Sequence, residues 1–182
     1  VDGDGATDRT ITIANGQFAL DETAVGSAIL KLLSAPATPG DDSLAGSTGA
    51  DTIDGLAGND TIHSNDGDDV LIGAAGADSL NGGNGVDTAD YSSSAVAVTV
   101  NLLTGTGSGG DAAGDLLVAV ENLTGSDLND SLVGDGFDND LIGGVGDDTL
   151  KGNDGNDALF GGLGKDRAEG GIGNDLLQTS NG

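Results

Sequence analysis

Residues 46–90 read GSTGADTID, GLAGNDTIH, SNDGDDVLI, GAAGADSLN and GGNGVDTAD, consecutive units of nine in a single register. Each unit opens with a loop-forming half that carries Gly at its fourth place and Asp at its sixth. It closes on three residues centred on an aliphatic one. Gly and Asp favour tight turns, and a triplet with one apolar side chain reads as a short strand with a single inward residue. A fixed period of this kind marks a stacked repeat architecture, in which each unit buries its apolar side against its neighbours. Working outward, one more unit precedes this stretch at 37–45 and six follow at 125–178, after an interruption.

The sixth-place acids of the first block are Asp42, Asp51, Asp60, Asp69, Asp78 and Asp87. In the second they are Asp130, Asp148, Asp157, Asp166 and Asp175, with Asn139 breaking the series. The eighth places hold Leu44, Ile53, Ile62, Leu71, Leu80 and Ala89, then Leu132, Leu141, Leu150, Leu159, Ala168 and Leu177. If two units make one coil, Leu44, Ile62 and Leu80 form one inward row, and Ile53, Leu71 and Ala89 the facing row. Such a core is thin. One Leu per unit contributes roughly 2 kcal/mol, against an ordering cost of about 1–2 kcal/mol for every residue fixed, and Gly raises that cost. The fold needs a further stabilising contribution.

Composition says what that contribution can be. The 182 residues include 35 Gly and no Cys, and carry a formal net charge of −26. Phosphates would be repelled, which excludes nucleic acid as a partner. Of the acids only Glu22, Glu121 and Glu169 are Glu. Disordered acidic tails usually lean on Glu and on charge blocks, whereas Asp at fixed intervals beside Gly suits turns that hold a hard cation. Lack of cysteine leaves no disulfide framework, and no apolar run reaches the length of a membrane span.

The chain divides by pattern into residues 1–36, 37–90, 91–124 and 125–182. The first part contains Thr10 to Ile13, Asn15-Gly16, Phe18 and Leu20, which predicts a hairpin around an Asn-Gly turn. Asp21 is placed to cap a short helix bearing Val25, Ile29, Leu32 and Leu33. This part reads as a small N-terminal cap or the end of a preceding domain. Residues 91–124 predict two strands, Ala95 to Leu102 and Leu116 to Val120, separated by a flexible stretch from Thr104 to Asp115. That is what one enlarged coil requires, so residues 37–178 are expected to form one continuous roll.

The nonapeptide pattern resembles the RTX, or hemolysin-type, calcium-binding repeat of proteins exported by bacterial type I secretion. The resemblance implies an all-β fold, a parallel β-roll (a right-handed β-solenoid) in which two nonapeptides make one coil. It also implies calcium between loops on the same edge, eighteen residues apart, held by backbone carbonyls and the sixth-place Asp of both loops. Calcium accepts 6–8 oxygen ligands of this mixed kind, and the fourth-place glycines let the loops turn carbonyls inward. Carried onto this chain, the ligating loops are those of Asp42, Asp51, Asp60, Asp69, Asp78 and Asp87 with Gly49, Gly58, Gly67, Gly76 and Gly85. In the second block they are those of Asp130, Asp148, Asp157, Asp166 and Asp175 with Gly146, Gly155, Gly164 and Gly173. The pairs are Asp42 with Asp60, Asp60 with Asp78, Asp51 with Asp69, Asp69 with Asp87, Asp148 with Asp166, Asp157 with Asp175 and, more weakly, Asp130 with Asp148, which implies about seven ions. Leu128 and Phe137 replace fourth-place glycines, so calcium is expected to be weak or missing at that coil. Both side chains are expected to pack against residues 91–124.

Other motifs carry less. Asp2, Asp4 and Asp8 alternate as in a calcium loop but lack the terminal Glu of a twelve-residue hand, and are read as a solvated turn. His63 is the only histidine, which leaves no zinc or copper set. The Gly105–Gly110 run lacks the Lys-Ser/Thr of a phosphate cradle. Asn59, Asn122 and Asn129 open sequons that a bacterial chain leaves unused. The fifth places, Asp41, Ala50, Asn59, Asp68, Ala77 and Val86, are too irregular for an ice-binding face. No nucleophile–base pair is visible, so no enzyme activity is expected of this stretch. Three functions remain: a calcium-folded module of a secreted or cell-surface protein, a stalk or lattice segment of a surface-layer protein or adhesin with self-association contacts, and the accessory part of a secreted protease, lipase or alginate epimerase.

Overall fold

A computed structural model describes residues 12–13, 16–17 and 37–181. The chain separates into two compact units, residues 1–36 and 37–182. In the first, β1 (Thr12–Ile13) pairs antiparallel with β2 (Gly16–Gln17), Ile13 opposite Gly16. Gly16 therefore belongs to a strand and not to the expected Asn15-Gly16 turn. The expected helix and the Asp2–Asp8 stretch lie outside the described residues.

The second unit is a roll of two sheets facing one another. Its first block supplies β3 (Ser43–Ala45), β4 (Thr52–Asp54), β5 (Thr61–His63), β6 (Val70–Ile72), β7 (Ser79–Asn81) and β8 (Thr88–Asp90). The interruption supplies β9 (Thr99–Asn101), β10 (Thr106–Ser108), β11 (Leu116–Val118) and β12 (Asn122–Thr124). From the second block come β13 (Ser131–Val133), β14 (Asp140–Val145), β15 (Thr149–Asp154), β16 (Ala158–Gly164), β17 (Arg167–Ile172) and β18 (Leu176–Asn181). Within each block strands alternate between a nine-stranded sheet, ordered β17-β15-β13-β9-β10-β11-β7-β5-β3, and a seven-stranded one, ordered β18-β16-β14-β12-β8-β6-β4, while β9, β10 and β11 all lie in the first.

Within each block the pairing is parallel at an eighteen-residue offset. Leu44 stands beside Ile62 and Ile62 beside Leu80 in one sheet; Ile53 stands beside Leu71 and Leu71 beside Ala89 in the other. These are the two inward rows that the period requires. The eighth-place residues form the core between the sheets, Ile62, Leu71, Leu132, Leu141, Leu150 and Leu159 being fully buried, except Leu177 in the last strand, which is 45% exposed. In the second block the ladder runs past the strand into the next loop, with Gly144 opposite Gly162 and Asn153 opposite Gly171.

Residues 91–124 are more ordered than a single coil with a flexible loop. After β8 the chain runs ahead to β9, turns back through antiparallel β10, and returns to lay β11 parallel on β7 and β12 parallel on β8. A 3-10 turn, Gly110–Ala112, follows β10 and buries Ala112. The second block then starts on this insertion, β13 on β9 and β14 on β12. Val98, Val100, Leu117, Val120 and Leu123 continue the core through the interruption. Stacking is thus unbroken from β3 to β18.

Candidate metal centre

Each triplet strand is preceded by the loop that ends in the sixth-place acid, so eighteen-residue stacking places these acids one above another along each edge. The Asp Oδ1 of one coil accepts a hydrogen bond from the backbone N–H of the acid one coil earlier. Along one edge Asp42 N donates to Asp60 at 2.8 Å and Asp60 N to Asp78 at 2.7 Å. Along the other, Asp51 N donates to Asp69 at 2.7 Å and Asp69 N to Asp87 at 2.9 Å. The second block repeats this with Asp130 N to Asp148 at 2.8 Å, Asp148 N to Asp166 at 3.1 Å and Asp157 N to Asp175 at 3.1 Å. The eighteen-residue pairs named from the sequence are therefore neighbours in space.

The second carboxylate oxygen behaves differently. Among the described residues, Oδ2 of Asp60, Asp69, Asp78, Asp87, Asp148, Asp157 and Asp166 is buried and has no hydrogen-bond partner. An ionised carboxylate only accepts, and a buried one without a donor or a cation is strongly disfavoured. Burial pushes Asp78 and Asp148 up to about 6, against the N–H bonds that hold the charge. Asp87 and Asp157 are raised for the same reason. Among the described residues none of these seven oxygens is paired with a cation, and the ion pair of Arg167 with Glu169 lies on the surface.

Loop geometry explains which oxygens are left alone. At the second place of these loops the backbone is left-handed: Leu56 has φ 75°, Asn65 78°, Ala74 60°, Gly83 96°, Gly144 107°, Asn153 82° and Gly162 98°. Leu56 and Ala74 adopt it without the freedom of glycine, which costs each about 1–2 kcal/mol. In the first loops of each block the second residue turns inward. Thr38 N and Oγ1 donate to Asp42 Oδ2 at 2.6 and 2.9 Å. Ser47 does the same for Asp51 at 2.5 and 2.8 Å, and Ser126 N for Asp130 at 2.5 Å. The roll thus has open loops, whose acid faces an interior lacking donors, and closed loops, which satisfy their own acid.

Fourth-place glycines bring successive loops into contact. A β-carbon at Gly76 would lie 1.7 Å from Gly58 O, at Gly85 1.9 Å from Gly67 O, at Gly164 1.8 Å from Gly146 O and at Gly173 1.6 Å from Gly155 O. Below Gly58, Gly67, Gly146 and Gly155 the approach is 2.4–2.6 Å. Gly49 has open space instead. Leu128 and Phe137 escape the clash because the insertion, and not a nonapeptide loop, lies one coil earlier. Their expected packing is corrected here: Phe137 is 74% and Leu128 40% exposed, since the fourth place is a corner that faces solvent.

Three features escaped the sequence pattern. Asp115 and Glu121 extend the acid ladders through the interruption, Asp78 N donating to Asp115 at 2.8 Å and Asp87 N to Glu121 at 2.9 Å. Both precede a triplet centred on Leu, as a sixth-place acid does, but their offsets of 37 and 34 residues hide them from an eighteen-residue count. A second ladder runs on the outside at the fifth place, with the opposite polarity. There Asn59 N donates to Asp41 Oδ1 at 2.8 Å, Ala77 N to Asn59 Oδ1 at 3.0 Å and Lys165 N to Asp147 Oδ1 at 2.9 Å.

Among the described residues no three acidic, histidine or cysteine side chains converge. Each open loop instead offers one buried carboxylate oxygen beside the backbone carbonyls that line the edge. All are hard oxygen donors, a set that fits calcium and not a softer metal. His63 lies on the surface, its Nδ1 3.2 Å from Ile62 O. No curated protein matches the chain as a relative. The family model of the RTX calcium-binding nonapeptide repeat matches residues 36–71, 63–92, 124–159, 133–168, 142–177 and 160–182, together more than half of the sequence. With its period, its parallel roll and its open oxygen-lined loops, this chain belongs to the family of RTX calcium-binding nonapeptide repeats and forms a calcium-binding β-roll.

Proposed function

We propose that this chain is the calcium-dependent folding module of a secreted or cell-surface bacterial protein whose parent leaves the cell by type I secretion. The observation that carries the reading is the row of buried Asp oxygens without donors in the open loops. Those loops, of Asp60, Asp69, Asp78, Asp87, Asp148, Asp166 and, at the end of its row, Asp175, would hold the metal with the acid one coil earlier, whereas the loop of Asp157 has Asn139 in that place. Calcium bound there supplies the positive charge and the oxygen coordination that these carboxylates lack. A ligand that binds only the folded chain stabilises it by mass action. In a calcium-poor cytosol the chain stays unfolded, which suits export, and outside the cell it folds.

Calorimetric titration of the metal-free chain with calcium tests the reading. Several ions per chain are expected, with binding coupled to strand formation. A chain that takes up no calcium at millimolar concentration would contradict it.

A further inference from the structure

The joint between the two blocks is closed by side chains. Asp115 Oδ2, in the insertion, accepts the Tyr91 hydroxyl at 3.0 Å. Asp130, in the first loop of the second block, is held by Ser126, and the residue one coil earlier is Val98, whose N–H donates to Asp130 Oδ1 at 2.7 Å. On the other edge stands Asn139, 1% exposed. Its Oδ1 accepts Asp135 N at 2.8 Å, and its backbone N–H donates to Asp157 Oδ1 at 2.9 Å. Its Nδ2 donates to Glu121 O at 2.7 Å and lies 3.4 Å from Asp135 Oδ1.

The polarity of the contact between Asn139 and Glu121 is reversed relative to every other rung. Elsewhere an N–H of the earlier coil points at the acid. Here the N–H groups of Glu121 and Asn122 both turn to Asp87 O, at 3.1 and 2.9 Å, and a carbonyl faces residue 139. A carboxylate in this place would set its oxygen against Glu121 O and Asp135 Oδ1 with no donor among them. An amide supplies the donor directly.

We infer that Asn139 stands where other rungs of this edge place a carboxylate and its cation, and that the joint is a metal-free rung dividing the roll into two separate calcium arrays. The inference rests on the calcium reading of the open loops. It follows that Asn139→Asp turns a hydrogen-bonded rung into a calcium-dependent one, formed by the new carboxylate, Glu121 O and Asp135.

Native mass spectrometry of the calcium-loaded wild-type chain and of Asn139→Asp gives the test. The variant is expected to carry one calcium ion more than the wild type. Equal, non-zero counts would overturn the inference while leaving calcium binding itself in place; no ions on the wild type would overturn both. A crystal structure of the calcium-loaded wild type decides the matter even if the variant does not fold. Asn139 Nδ2 bonded to Glu121 O with no ion between them is expected, and an ion coordinated by Glu121 O at this rung would overturn it.

Discussion

At Gly76 an added β-carbon would meet Gly58 O at 1.7 Å, while at Gly49, the same place in the repeat, it would meet nothing within 4 Å. Gly76 stacks directly on the loop of Gly58, one coil earlier. Gly76→Ala must push two backbones apart and should destabilise the calcium-loaded roll by about 3 kcal/mol. Gly49→Ala should stay within about 0.5 kcal/mol. Urea unfolding in excess calcium distinguishes them, and equal losses would show that the glycines serve backbone freedom alone. The acids divide by the same logic. Asp69 is buried, with its N–H on Asp87 and its Oδ1 under Asp51 N, whereas Asp175 ends its row and accepts only from Asp157 N. Asp69→Ala should therefore raise the calcium midpoint of folding more than Asp175→Ala, by a margin equivalent to about 1–3 kcal/mol. Equal midpoints in a calcium titration would count against pairing at eighteen residues.

Elements are where sequence and structure part company. Pairing of β3 to β8 and of β13 to β18 could be counted from the period, because a parallel roll repeats the same register in every coil. The β9–β10 hairpin could not. Its Thr106-Gly107-Ser108 strand lies in a Gly-rich stretch with little strand propensity and exists because β9 and β11 offer edges on both sides. Nor does the pattern reveal that Thr38, Ser47 and Ser126 close their loops while Leu56 and Ala74 open theirs, since that rests on a backbone dihedral. Tyr91 is legible only in hindsight: it falls at the start of the interruption, and its hydroxyl satisfies Asp115 across 24 residues. Burial pushes Asp115 up to about 6 and the Tyr91 hydroxyl well above its usual range. Tyr91→Phe leaves that carboxylate oxygen without its donor and should cost about 1–3 kcal/mol. Thermal unfolding of the calcium-loaded chain would measure it, and an unchanged midpoint would mean the insertion is held by its apolar core alone.

Across the whole molecule the forces are unevenly distributed. The core holds about one aliphatic side chain per nonapeptide, and the chain carries a formal net charge of −26. About seven divalent ions would bring that charge to about −12 and relieve much of the self-repulsion. They would also give the buried Asp oxygens the partner that the protein does not provide. Hydrogen-bond ladders at the fifth and sixth places fix the spacing of the coils, but they cannot by themselves outweigh the entropy of ordering a Gly-rich backbone. Far-ultraviolet circular dichroism of the chain in chelator and in millimolar calcium tests this balance directly. A disordered spectrum in chelator that converts to a strand spectrum on adding calcium is the predicted result. A β-roll spectrum that persists in chelator would show that the apolar rows and the ladders suffice, and would contradict the account.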